Sequence, residues 1–332
     1  MRNKLSIIIT AIVLIGVGLA GAVKAITLIP PSLEFGLIPG QTQKTEIKLF
    51  NETTAEINLY TKVVNFVAKD DTGEPDFLFE GPFDEGLSAW VDVQPGPIAL
   101  EPGQRVSVPI TVNPPLDAEA GGHYAAVFFT ENPPEASGPG VIRVASSIGT
   151  LLLTQVEGEI VKQGSLAGFT TASGQKFLNR LPIDFIVRFQ NDGNVHLRPT
   201  GTITITSTFG NTAATLEVNP SKGAALPEQI RKFEAVWEKG QVKETTGNAW
   251  TSFWKELGNE WRNFAFGRYK ANLNLTFGSA SDQQTTATTC FWVFPWRVIL
   301  IGAIVLLVVI LLLILLIKRY NRWIVKEAQK RK

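Results

Sequence analysis

Residues 45–50, Thr-Glu-Ile-Lys-Leu-Phe, alternate polar and apolar positions, the signature of a strand with one buried face. Residues 57–67 and 123–130 are rich in Val, Ile, Tyr and Phe, the types that suit a pleated surface. Residues 105–112 alternate again, and Pro109 within them predicts an edge strand, because proline cannot donate to a ladder. A long strand or strand pair is expected over 141–161. Pro39-Gly40, Glu101-Pro102-Gly103, Asn113-Pro114-Pro115 and Gly121-Gly122 punctuate these runs with turn chemistry. About seven short strands at this spacing predict an immunoglobulin-like sandwich. The same grammar recurs at 166–171, 181–190, 202–208, 214–218, 230–237 and 269–277, with Asn191-Asp192-Gly193-Asn194 as a tight turn. The predicted class is all-β: two tandem immunoglobulin-like sandwiches over 26–163 and 164–290.

One stretch breaks the pattern. Trp250, Phe253, Trp254, Leu257, Trp261 and Phe264 recur at the spacing of a single helical face within a helix predicted over 248–266. Asn248 fits an N-cap and Gly267 a terminator, while Gly258 weakens the helix interior. The helix reads as an insertion between two strands of the second sandwich. Its stripe predicts burial under that sandwich. If it is functional instead, it docks a partner or lies on a membrane surface. The charge-balanced polar face speaks against the membrane surface, since interfacial helices are usually basic. Trp250, Phe253, Trp254, Leu257 and Trp261 are therefore the candidate partner-binding residues, of types enriched at interfaces.

The ends of the chain are apolar in a different way. Residues 298–317 carry no charge, and at 1.5 Å per residue they match a hydrocarbon core of about 30 Å. Trp292, Trp296 and Arg297 before this segment, and Lys318, Arg319 and Trp323 after it, are placed as interface anchors. The tail, 318–332, carries seven Lys/Arg against the single Glu327, which predicts a cytoplasmic C-terminus. Residues 1–25 begin with Arg2 and Lys4, continue apolar and end in small residues, as a cleaved signal peptide does. The expected product is a single-pass type I membrane protein with its N-terminal domains extracellular.

Charge sharpens this picture. The formal net charge of +1 conceals seven basic against nineteen acidic residues in 26–163 and thirteen against ten in 164–296. An acidic outer half disfavours nucleic acid as a ligand. The single Cys290 rules out an intrachain disulfide framework. Two histidines, His123 and His196, no nucleophile elbow, no phosphate loop and no dinucleotide fingerprint leave little for catalysis, and no cofactor is expected. Asp70, Asp71, Glu74 and Asp76 cluster around Gly73 and are the weak metal candidates, although their spacing does not match a calcium loop and a solvated hairpin turn is the simpler reading. Asn51-Glu52-Thr53 and Asn274-Leu275-Thr276 are glycosylation sequons. Trp90 is expected in the core rather than on a sugar-binding platform.

Pro30-Pro31-Ser32-Leu33-Glu34-Phe35, Pro39-Gly40-Gln41, Ile47-Lys48-Leu49-Phe50-Asn51, Leu100-Glu101-Pro102-Gly103, Asn113-Pro114-Pro115 and Gly121-Gly122-His123-Tyr124-Ala125-Ala126 form a series. That series resembles the N-terminal domain of the WxL-interacting proteins of Gram-positive cell surfaces. The resemblance implies a peptidoglycan-binding sandwich, a partner-binding sandwich, a membrane helix and a basic tail. The aromatic insertion departs from it. The function expected is a non-enzymatic, membrane-anchored adhesin or scaffold that binds cell-wall peptidoglycan and a surface protein. The alternative is an extracellular docking subunit of a membrane complex with no glycan binding.

Overall fold

The computed structural model describes residues 25–79, 85–131, 147–240, 248–278 and 283–330, with side chains described up to Ile324. The expected signal peptide and the start of the 141–161 strand region lie outside the described residues. The chain divides into two compact units, one comprising Met1–Val67 and Pro75–Ile160, the other Ala68–Glu74 and Val161–Lys332.

The first unit is a β-sandwich. Its four-stranded sheet joins β1 (Ile26–Ile29), β3 (Gln43–Asn51), β8 (Arg105–Val112) and β6 (Val91–Val93) in that order. The facing sheet runs β2 (Ser32–Leu37), β10 (Ser147–Val156), β9 (Gly121–Thr130), β4 (Ile57–Ala68) and β5 (Pro75–Phe77), with β7 (Ile98–Leu100) pairing β4. Pro30-Pro31 explains the handover between sheets. The chain pairs with β3 up to Ile29 and then, past two residues unable to donate, runs parallel to β10 from Ser32. Ile47 and Leu49, Val108, Ile110 and Val112, and Val127 and Phe129 are almost wholly buried between the sheets, as period-2 alternation requires. A short helix, α1 (Gly86–Trp90), leads into β6. Trp90 packs against this core, with its ring 4.6 Å from that of His123.

Strand β8 is not an edge strand, contrary to the reading of Pro109. It lies between β3 and β6. Its pairing with β6 covers only Ile110, Thr111 and Val112, so Pro109, opposite Glu46 of β3, sits just beyond the end of the short neighbour. The missing donor costs no ladder bond on that side, which is why proline is tolerated inside the sheet.

The second unit repeats the plan. β11 (Gly164–Thr171), β13 (Ile183–Asn191) and β16 (Ile230–Trp237) form one sheet. The other is β12 (Phe177–Leu178), β18 (Gln283–Val293), β17 (Gly267–Phe277), β14 (Thr200–Ser207) and β15 (Thr212–Val218). β12 runs parallel to the last strand, β18, as β2 runs parallel to β10. Trp237, Phe185, Phe189 and Phe291 fill the core, with Trp237 and Phe291 edge to face at 6.1 Å. The architecture is thus two immunoglobulin-like sandwiches followed by one apolar helix. The Asn191–Asn194 segment does not close a hairpin: it carries the chain from β13 in one sheet to β14 in the other.

An asparagine locks that crossing in each unit. Asn51, at the end of β3, is fully buried and donates to the carbonyls of Ala55 and Leu100, at 2.8 and 3.0 Å, while its oxygen accepts from Thr53. Asn191, at the end of β13, donates to Val195 and Ala225, at 2.8 and 2.9 Å, and accepts from the Gly193 amide. The Asn51 sequon is accordingly structural, since a sugar on its Nδ2 is incompatible with two buried acceptors. Asn274, by contrast, is exposed on β17. Asn51→Ala and Asn191→Ala, each stranding buried carbonyls, should each lower unfolding free energy by about 2–3 kcal/mol. Denaturant titration of the full chain in detergent checks this, and a loss under about 0.5 kcal/mol, the range of ordinary surface substitutions, would contradict it.

Candidate functional site

The helix predicted over 248–266 is observed as α2 (Ala249–Arg262). Asn248 caps it as expected, its side chain accepting from the Thr251 amide at 3.0 Å. It stops well before Gly267, because Asn263 ends it. Fully buried, Asn263 accepts the Gly240 amide at 2.9 Å and returns its own amide to the Asn259 carbonyl. Gly267, with φ of +110°, instead opens β17.

The expectation that the aromatic stripe is buried under its own sandwich is wrong. Trp250 is 70% exposed, Trp254 47% and Trp261 71%, while Asn259 and Glu260 are the buried positions. At 100° per residue, the inward face centres roughly a third of a turn away from the stripe. Phe253 and Leu257, on the shared boundary, are half-buried.

Ion pairing dictates that rotation. The last helix, α3 (Trp296–Lys330), begins two residues after β18 and presents its first-turn amides toward α2. Glu260 Oε2 accepts from the backbone amides of Arg297 and Val298, at 3.0 and 3.2 Å, and Oε1 accepts from Arg297 Nη1 at 2.7 Å. Two of the orphan donors that begin every helix are thereby satisfied by an anionic group at the positive end of the helix dipole. Glu256, one turn earlier, pairs with Arg180 at 3.2 Å and approaches Arg297 at 3.8 Å. Turning the aromatic stripe inward would expel these two carboxylates and leave Arg180 and Arg297 without them. Burying charge is tolerable only when it is paired and hydrogen-bonded, and both carboxylates are, although Arg180 Nη1 and Arg297 Nε are buried without an acceptor.

Ring contacts continue from this clamp. Trp250 meets Trp254 at 5.6 Å, Trp254 meets Phe253 at 5.6 Å, and Phe253 meets Trp296, the first residue of α3, at 6.4 Å. Phe266 and Phe294 pair nearby at 6.0 Å. Among the expected interface anchors, Trp292 lies on β18 rather than on a helix and is 46% exposed. Arg297 is held by Glu260 and Glu256. Lys318, Arg319 and Trp323 lie exposed along the far part of α3. Residues Trp296–Ile324 of that helix are long and apolar enough to cross a membrane, and their most apolar 18-residue stretch has a mean hydropathy of 3.7 and is unburied.

The metal candidates do not converge. Asp70 accepts hydrogen bonds from the hydroxyl and amide of Thr72, which hold its carboxyl below the usual carboxylate range. Asp71 pairs with Arg188 at 2.9 Å, and Asp76 is exposed on β5. Among the described residues no group of three or more His, Cys, Asp and Glu gathers as metal ligands. His123 is engaged by the Glu119 carbonyl at 2.8 Å, and Cys290 is a half-buried free thiol on β18.

A second candidate surface lies on the outward face of the β1–β3–β8 sheet. Strand register sets Thr27, Phe50 and Arg105 in one row and Ile29, Lys48 and Ser107 in the next. With Glu52 they line a cleft of about 280 Å³, and the Arg105 guanidinium lies 4.6 Å from the centre of the Phe50 ring. Alternation in β3 already implied that Lys48 and Phe50 share a face. Which strands flank them was not readable from local sequence.

No family model matches the chain, and no curated protein does either. Among solved structures it is similar to a class 5 fimbriae chaperone, CfaA, at 12% identity over 80% of this chain and 99% of that one, with a TM-score of 0.37. It is similar also to a Pseudomonas aeruginosa chaperone (10% identity, 80% and 100% covered, TM-score 0.36) and to the E. coli chaperone DraB (12%, 81% and 97%, 0.35). At such identities and TM-scores the likeness says nothing of what this chain binds.

Glu260→Ala removes the clamp and leaves a guanidinium and two amides without their acceptor, so the second unit should lose about 3 kcal/mol. Glu260→Gln, which keeps an acceptor, should lose less. Thermal unfolding of the full chain in detergent checks the order, and equal stability of all three proteins would contradict the clamp.

Proposed function

We propose that this chain is a non-enzymatic, membrane-anchored surface protein. On this reading its N-terminal leader is removed on export, and α3 spans the membrane once. The two sandwiches stand outside, and the basic end of α3 lies in the cytoplasm. The observation that carries the reading is the direct join of a folded β-sandwich to a span-length apolar helix, two residues after β18 and clamped by Glu260. Basic residues concentrated after Ile317 support the orientation.

The first sandwich is proposed to bind cell-wall glycan at the β1–β3–β8 face. A sugar needs an apolar platform beside hydrogen-bonding groups. The Phe50 ring stacked by Arg105 supplies the first, and Thr27, Lys48, Glu52 and Ser107 supply the second. The second sandwich is proposed to engage a surface protein, for which β15, the end strand of its sheet, offers an edge for strand addition. The same order of parts is what the resemblance to the WxL-interacting proteins implies.

Sedimentation of the detergent-solubilised full chain with purified peptidoglycan tests the glycan reading. The wild-type chain should pellet, and Phe50→Ala with Arg105→Ala should reduce retention at least about tenfold, the loss of about 1.4 kcal/mol or more expected when a central contact is removed. Wild-type chain remaining in the supernatant removes glycan binding and leaves a docking subunit of a membrane complex.

A further inference from the structure

We infer that helix α2 lies in the outer leaflet's interfacial zone, with Trp250, Trp254 and Trp261 immersed at the headgroup–acyl boundary beside the root of α3. The inference rests on α3 being a membrane span.

The geometry is specific. Phe253, Glu256 and Glu260 extend over two turns of α2, about 10 Å along its axis at 1.5 Å per residue. All three converge on Trp296 and Arg297, the first two residues of α3. Had α2 run alongside the span, Phe253 would meet residues two turns from those that meet Glu260. It therefore crosses the root of the span, in the plane that a bilayer surface occupies. Trp254 is two ring contacts from Trp296, through Phe253 at 5.6 and 6.4 Å, which keeps this part of the stripe beside the span's own first tryptophan.

The sequence-level objection to a lipid surface was charge balance, and the fold removes it. Glu260 is fully buried, and the Glu256 side chain is 16% exposed against Arg180 and Arg297. The charges that α2 leaves exposed are Lys255 and Arg262, both basic. An exposed Trp stripe flanked by cations is the composition of a helix lying in an interface. Tryptophan favours that depth because its ring is apolar and its N–H seeks a polar partner. Phe294, two residues before α3, and Phe266, paired with it at 6.0 Å, are each about half exposed and add apolar surface near the same root.

The test uses the full chain in phosphatidylcholine–phosphatidylglycerol vesicles, with Cys290→Ser as background. Nitroxide labels are placed singly at Trp250→Cys, Trp254→Cys, Trp261→Cys, Lys255→Cys and Leu307→Cys. Oxygen and a water-soluble nickel chelate then report the depth of each label. The inference predicts that the labels at 250, 254 and 261 favour oxygen, at a depth of about 5–10 Å, and that the label at 255 favours the chelate. Leu307, in mid-span, should favour oxygen strongly. If 307 reports lipid while 250, 254 and 261 report water, α2 does not lie in the leaflet although the anchor stands. If those three report water in vesicles but become immobile and shielded in native membranes, the stripe is a protein-docking face and the inference is overturned. If 307 itself reports water, the span reading and the inference fail together.

Discussion

A single carboxylate, Glu260, decides how the second half of this molecule is arranged. It is wholly buried, and three donors from the start of α3 meet it. Its removal from water would be prohibitive without those bonds, so α2 cannot rotate or lift without a large loss. Everything around it follows. Glu256 is drawn in beside it, Arg180 and Arg297 complete the cluster, and the aromatic stripe is left facing outward. A charged anchor inside produces an apolar surface outside.

The clamp also joins two elements with different tasks. β18 ends in Val293, and α3 opens at Trp296, so only Phe294 and Pro295 separate sandwich from apolar helix. Glu260 supplies a second tie across that joint, from the insertion to the first turn. The second sandwich and the base of the helix are thus tied at two points, the chain itself and Glu260.

Much of the fold was legible because strands were bought with alternation. Residues 105–112 and 230–237 are strands to the residue, and the aromatic insertion is helical with the expected Asn248 cap. β18 was not anticipated: Gln283 to Thr289 offers Thr and Gln where a strand usually shows Val or Ile, so its apolar alternation is faint. Pro109 misled because proline reports a missing bond at one residue, whereas β6 is too short to demand that bond. The turn around Gly73 was read as a solvated hairpin with four acidic groups. The structure has that exposed turn between β4 and β5, with Asp70, Glu74 and Asp76 in solvent, but Asp71 pairs with Arg188, a partner more than a hundred residues away in sequence and invisible locally. The stripe on α2 was identified by its period, yet period fixes only which residues share a face. Which face turns inward depends on Glu260 meeting Arg297, a contact with no local signature.

The account requires that both sandwiches stand on one side of a membrane and the basic end of α3 on the other. Protease added to intact cells, followed by detection of tags at residue 26 and at the C-terminus, measures this directly. The account predicts that the N-terminal tag is lost while a short fragment carrying α3 and the C-terminal tag survives. Survival of the N-terminal tag with loss of the C-terminal one would contradict it.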